Sequence, residues 1–193
     1  MKTILIGSLV GAIILFGWQA FSWTASGIHT NSFKYTASQE AVLQSLTSNL
    51  KEEGHYLVPR SEPGVSSEEE MKYNEGMSGK PWAIVIYHPA HDNDMVKPMI
   101  RGFLTSFICV LLVCLVIRRF DPMYRNFISV STSVLTFGVV SFLFIWYNQH
   151  NWFQTPWDFL WGEMIDNLVS WALCGIWLGW WYSRKNKKIK VTM

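Results

Sequence analysis

MIRGFLTSFICVLLVCLVIRRFDPMYRNFISVSTSVLTFGVVSFLFIWY, Met99 to Tyr147, is the stretch whose reading decides the fold. From Met99 to Ile117 it is apolar apart from Arg101. Arg118, Arg119 and Arg125 then crowd a short polar loop, and Phe127 to Tyr147 is apolar again. About 20 mostly apolar residues suffice for a helix to cross the hydrocarbon core of a bilayer. The hydrocarbon offers the backbone no hydrogen-bond partner, so each such run is a helix. Two runs flanking a basic loop predict a membrane hairpin.

Working outward, Ile4 to Phe21 and Phe159 to Tyr182 are comparable runs, giving an expected total of four spans. Their direction follows from Lys and Arg in the short flanks. Lys2 precedes the first span, the arginine loop joins the second to the third, and Arg184, Lys185, Lys187, Lys188 and Lys190 follow the fourth. With four spans all three clusters fall on one side, the cytoplasm. The expectation is a multi-pass protein of the bacterial inner membrane with both termini cytoplasmic. The segment between the first two spans holds ten Asp and Glu against six Lys and Arg, which suits the outer side. The basic tail fixes orientation, with anionic lipid as a further contact.

The first span is longer than a signal peptide's apolar core, and Phe21-Ser-Trp-Thr24 offers no small-x-small cleavage site, so an uncleaved anchor is expected. Gly7 and Gly11 have the spacing that lets a second helix approach closely. Ser129, Ser133, Thr136 and Ser141 on the third span are read in the same way, as packing positions. Trp18 and Trp23, the group Trp146 to Trp161, and Trp177 to Tyr182 sit where aromatic belts meet lipid headgroups.

The predicted organisation is a transmembrane helix over 1–23, an extracytoplasmic α+β domain over 24–97, three further transmembrane helices over 98–183, and a basic cytoplasmic tail over 184–193. Within the outer domain, Thr36-Ala-Ser-Gln39 reads as a capping box, with Ser38 as the alternative cap, for a helix running to Leu50. His55 to Val58 reads as a strand. Ser67-Glu-Glu-Glu70 reads as a second capping box opening a short helix to Asn74, and Pro81 to Tyr87 as a second strand. Some 75 residues make a marginal core, and two strands make no stable sheet alone. The domain is therefore expected to rest on the membrane, on the bundle, or on a partner.

The charged fraction is 16%, against about 25% in ordinary soluble domains. Cys109, Cys114 and Cys174 all lie in apolar runs, which excludes a disulfide framework in the outer domain. No metalloprotease, serine-hydrolase or phosphate-loop motif occurs.

Charged groups within spans are expensive and are functional candidates by default. Arg101, Glu163 and Asp166 qualify, with Asp158 at the edge. Asn167, Ser170 and Cys174 prolong the Glu163–Asp166 face at helical spacing, as a polar stripe turned into the bundle. An ion pair from Arg101 to Glu163 or Asp166 is expected. The bland reading of that patch is a structural clamp between the second and fourth spans; the functional one is a proton or cation site. His29, His55, His88, His91 and His150 all fall outside or at the outer edge. His88-Pro-Ala-His91-Asp-Asn-Asp94 has metal-ligand composition but reads as a solvated linker, so no metal site is expected. No His pair faces across spans to hold haem, and no cofactor is expected. His150 and Trp152 are the candidates at the outer edge.

Several stretches resemble a group of small uncharacterised bacterial inner-membrane proteins. They are the opening Gly7 to Trp23, the Glu52 to Pro59 and Ile84 to Pro89 runs, and Trp146-Tyr-Asn with Asn151-Trp-Phe and Asp166 to Gly175. The resemblance implies the four-span layout with an outer α+β insertion, carries no mechanism, and singles out Trp152 and Asp166.

The leading functional expectation is a non-enzymatic scaffold or accessory subunit. It would contact the lipid bilayer and, through its outer domain, a protein partner or a second copy, with no role for nucleic acid. The alternatives are a small proton- or cation-coupled transporter using Glu163 and Asp166, and an outer-interface enzyme acting on a lipid or envelope substrate through His150, Glu163 and Asp166. No catalytic residue is assigned.

Overall fold

The computed structural model describes residues 1–191, with side chains to Arg184. The chain divides into two compact units, one of 1–34 with 94–193 and one of 35–93.

The first unit is a helical bundle. Its helices are α1 (Lys2–Thr24), α4 (Val96–Ile117), α5 (Phe127–Ser141), α6 (Asn148–Phe153) and α7 (Trp157–Val191). A six-residue π-helical turn, Phe142–Tyr147, runs α5 into α6. α1, α4 and the continuous stretch Phe127–Phe153 are long and apolar enough to cross a membrane. α7 is longer at 35 residues, but it is dense in Trp and carries Glu163 and Asp166, so it is less apolar. The expectation of four equivalent apolar spans is met for three helices. The fourth, α7, is a longer and less apolar member of the same bundle.

α1 and α7 pack together, with α4 against α1 and α5 against α7. Glycines make these approaches possible. A Cβ on Gly11 would come within 2.7 Å of Val110 on α4, and one on Gly175 within 2.8 Å of the Ser131 carbonyl on α5. Ser131 Oγ donates to the Gly175 carbonyl at 2.9 Å across the same contact. Gly7 leaves room for the Trp181 ring. Trp177 Nε1 donates to the Gly7 carbonyl at 3.1 Å and Trp181 Nε1 to the Thr3 carbonyl at 2.9 Å. Those two indoles, expected in an aromatic belt, therefore clamp α7 to α1.

The core sits at one end of the bundle, beside the α4–α5 loop. Ile4, Val113, Cys114, Ile117, Val130, Val134, Leu178 and Tyr182 form it as one buried cluster. The loop itself is tied off by Arg125, whose guanidinium donates to the carbonyls of Arg118 and Phe120. On the outer surface of α4, Ile100, Leu104, Ile108, Leu112 and Leu115 are all exposed, at the helical spacing opposite to buried Val110, Val113 and Ile117.

The second unit holds α2 (Gln39–Asn49), β1 (Gly54–Val58), α3 (Ser67–Gly76) and β2 (Ala83–Tyr87). The strands pair antiparallel, Gly54 opposite Tyr87 and Val58 opposite Ala83. The box expected at Thr36–Gln39 does not form: Ser38 is the N-cap of α2 and its side chain makes no capping bond. The second box forms one residue earlier than its sequence position suggests, with Ser66 as cap and Glu69 as its partner. Glu69 fits because Ser66 is extended and its own N–H points back to the carboxylate, at 2.9 Å. Residues 24–34, expected in this outer domain, belong to the bundle.

A buried carboxylate pair beside a polar cleft

The end of the bundle away from the α4–α5 loop is built differently. There α1 ends, α4 begins, α5 runs into the π-helical turn, and α7 begins. After Thr24 the chain folds back on itself: Ser26 Oγ donates to the Ser22 carbonyl and accepts from the Ile28 N–H, and Gly27 takes a positive φ of 72°. This turn aims His29 inward, where it stacks on Trp23 with ring centres 3.8 Å apart. Gly162 on α7 makes room for it, since a Cβ there would stand 2.6 Å from the imidazole.

His29 Nε2 donates to Asp166 Oδ2 at 3.0 Å. Asp166 Oδ1 accepts from Trp18 Nε1 at 3.0 Å and from Ser22 Oγ. Three donors from α1 and its following turn thus satisfy a carboxylate on α7 that is only 6% exposed. The turn is held further out by Phe33 packed edge-on against Phe159 and by an exposed Lys34–Asp158 ion pair at 2.6 Å. Asp166 therefore joins α1 and its following turn to α7, whereas the clamp expected of the intramembrane acids ran between the second and fourth spans through Arg101. Arg101 is exposed on α4 and, among the described residues, pairs with neither acid. Trp18, Ser22 and His29 already occupy the Asp166 carboxylate.

Glu163, one turn before Asp166, is placed otherwise. It is 7% exposed, and its carboxylate has no hydrogen-bond partner among the described residues. It lines a cleft of about 460 Å³ together with Asp166, Asn167 and Ser170 of α7. Leu15, Gln19 and Trp23 of α1 and Thr105, Ser106 and Cys109 of α4 form further walls, and Ser141, Ile145 and Trp146 close the side of the π-helical turn. Cys109 lies about 20 Å along α4 from Val96, so the cleft reaches toward the middle of the bundle. Asn167 is fixed by accepting from Ser141 Oγ at 2.7 Å and donating to the Glu163 carbonyl at 2.8 Å. Buried Ser170 sits at the floor, its hydroxyl 3.4 Å from the Asn167 carbonyl.

The structure thus brings Glu163, Asp166, Asn167 and Ser170 to one cleft and leaves Arg101 out of it. His150 and Trp152 are also elsewhere. His150 Nδ1 is bonded to the Thr155 carbonyl at 2.9 Å and its ring lies 4.9 Å from that of Trp157. Trp152 is 75% exposed. His150, Glu163 and Asp166 therefore form no common acid–base centre. Ser32 Oγ stands 3.4 Å from His29 Nδ1, too far for a strong hydroxyl hydrogen bond, and does not line the cleft. His88 meets Glu53 at 3.2 Å on an exposed surface. Among the described residues no group of three or more His, Cys, Asp or Glu is placed to hold a metal ion.

His29, Trp18 and Ser22 were not legible as site residues. The one available signal was that an acid within an apolar helix requires a partner.

No family model matches the chain, and neither curated proteins nor solved structures offer a significant match to it.

Proposed function

We propose that the chain is a four-span protein of the bacterial inner membrane and a non-enzymatic accessory protein, which holds a small ligand in the cleft around Glu163. The observation that carries this reading is Glu163 itself: a residue only 7% exposed, whose carboxylate is unpartnered among the described residues and faces a cavity of ligand size. A scaffold that only packed its helices would fill that space. The apolar core at the α4–α5 loop end argues for a pocket closed on one side. The exposed Ile100–Leu115 stripe supports lipid contact, since soluble proteins rarely leave so continuous an apolar face in water. The arginine loop then lies in the cytoplasm and the cleft opens toward the outer face. The resemblance to small bacterial inner-membrane proteins belongs to the same reading.

Contact with a protein partner has separate support. Among the described residues of 35–93, Tyr87 is the one buried hydrophobic side chain, and neither α2 nor α3 buries a residue. A two-stranded sheet with so little core gains stability from a second surface. Coupled transport through Glu163 and Asp166 draws on one feature, the π-helical turn beside the cleft, a geometry found often at functional hinges.

Native mass spectrometry of the protein released from lipid nanodiscs tests the binding reading. A small molecule retained by the wild type and lost from Glu163→Gln is the expected result. Retention that is identical in both proteins, or confined to the outer unit, would overturn it. Ion or solute flux in sealed liposomes that depends on Glu163 would favour the transporter.

A further inference from the structure

The chemistry of the cleft narrows its ligand, provided that the cleft reading above holds. We propose that it binds an organic ammonium group, with the Glu163 carboxylate as counter-charge and the rings of Trp23, Trp146 and Trp171 as walls.

An isolated carboxylate in a low-dielectric site is costly unless it meets a positive charge or takes up a proton. The cavity leaves far more room at Glu163 than a proton needs. The second acid of the cleft, Asp166, is satisfied by Trp18, Ser22 and His29, so one negative charge is left to be matched. No Lys or Arg lines the cleft to match it or to attract an anion. A hard metal ion is disfavoured because it seeks several oxygen ligands with carboxylates among them, whereas Glu163 is the one carboxylate of the lining not already engaged, and among the described residues no group of three or more His, Cys, Asp or Glu is placed to hold a metal. Three indoles beside one carboxylate suit a soft cation with an apolar surface, which gains from ring faces as well as from charge. Thr105, Ser141 and Asn167 supply polar groups for a ligand N–H or hydroxyl. The same ammonium chemistry is carried by free amines and by aminophospholipid headgroups.

Cys109 lines the cleft while Cys114 and Cys174 are buried in the core, so the native chain carries a reporter. The experiment follows modification of Cys109 by N-ethylmaleimide, by mass spectrometry, in nanodiscs of phosphatidylglycerol alone. Added choline and ethylammonium are compared with 3,3-dimethylbutan-1-ol, the neutral isostere of choline. A second nanodisc preparation contains phosphatidylethanolamine and no added amine. Slowing of about tenfold by saturating ammonium, none by the neutral alcohol, loss of the effect in Glu163→Gln and its retention in Glu163→Asp are expected. Slowing in phosphatidylethanolamine alone assigns the ammonium to a lipid headgroup; slowing by the free amines in the other preparation assigns it to a soluble amine. Reaction of Cys109 at one rate in every condition overturns the ammonium assignment and leaves an open cleft. Failure of Cys109 to react at all overturns the cleft reading, and the assignment with it. Thermal unfolding of both variants shows that they are folded.

Discussion

His29 Nε2 stands 3.0 Å from Asp166 Oδ2, and this contact closes a loop of 137 residues. The pair joins the turn after α1 to the first half of α7, and both side chains are within a tenth of full burial. Removing one partner of a buried pair leaves the other unmatched and typically costs about 3 kcal/mol or more. His29→Ala and Asp166→Asn should each lower thermal stability in detergent by an amount of that order. The double variant should lose clearly less than the sum, with a coupling of about 1 kcal/mol or more. Strictly additive losses would show that the two side chains do not act together.

Gly162 offers an independent route to the same contact. A Cβ at this position would stand 2.6 Å from the His29 ring, so Gly162→Ala should expel the imidazole from its place on Asp166. The expected loss approaches that of His29→Ala. Gly17→Ala is the control, because a Cβ there meets nothing within 4 Å; it should stay within about 0.5 kcal/mol of the wild type. Equal behaviour of the two glycine variants in a melting experiment contradicts the placement of His29.

In the 35–93 unit, pH acts on the start of α3. The Ser66 backbone N–H and hydroxyl both donate to the Glu69 carboxylate and hold its pKa below the ordinary value of 4.5. A group whose pKa is depressed on folding stabilises the fold above its unfolded value, and that contribution fades as the pH falls through the folded one. Protection of the Ser66 and Glu69 amides against hydrogen exchange, corrected for intrinsic rates, should therefore be full at pH 6 and decline below pH 4.5. Glu69→Gln should show the lower protection at both pH values. A protection factor that does not change with pH in the wild type counts against the capping box.

What the sequence made legible was what local composition governs. Apolar runs located α1, α4 and α5 to within a few residues, because burial in hydrocarbon depends on a window of neighbours. The polar face of Glu163, Asp166, Asn167 and Ser170 was legible from helical spacing. The partners of that face were not. Arg101 was the natural match by charge, yet it sits on the exposed side of α4, and donors far away in sequence fill its place. His29 lies in a turn whose inward course depends on Gly27 and on the gap at Gly162, which no pattern of residue types displays. The indoles of Trp18, Trp177 and Trp181 held more than their positions displayed: those positions suit a headgroup belt, and their N–H groups are also used between helices. The capping box shifted by one residue because Ser66 and Ser67 are both followed three residues on by Glu, so the pattern fits two frames.

The cleft reaches Cys109, and in the proposed orientation it opens toward the outer face. The direct measurement is the reaction of the native cysteines with a membrane-impermeant methanethiosulfonate reagent, in right-side-out and in inverted membrane vesicles. The account predicts that Cys109 is modified in right-side-out vesicles, that Cys114 and Cys174 stay free, and that inverted vesicles protect all three. Modification of Cys109 only in inverted vesicles, or only by a reagent that enters through lipid, would contradict it.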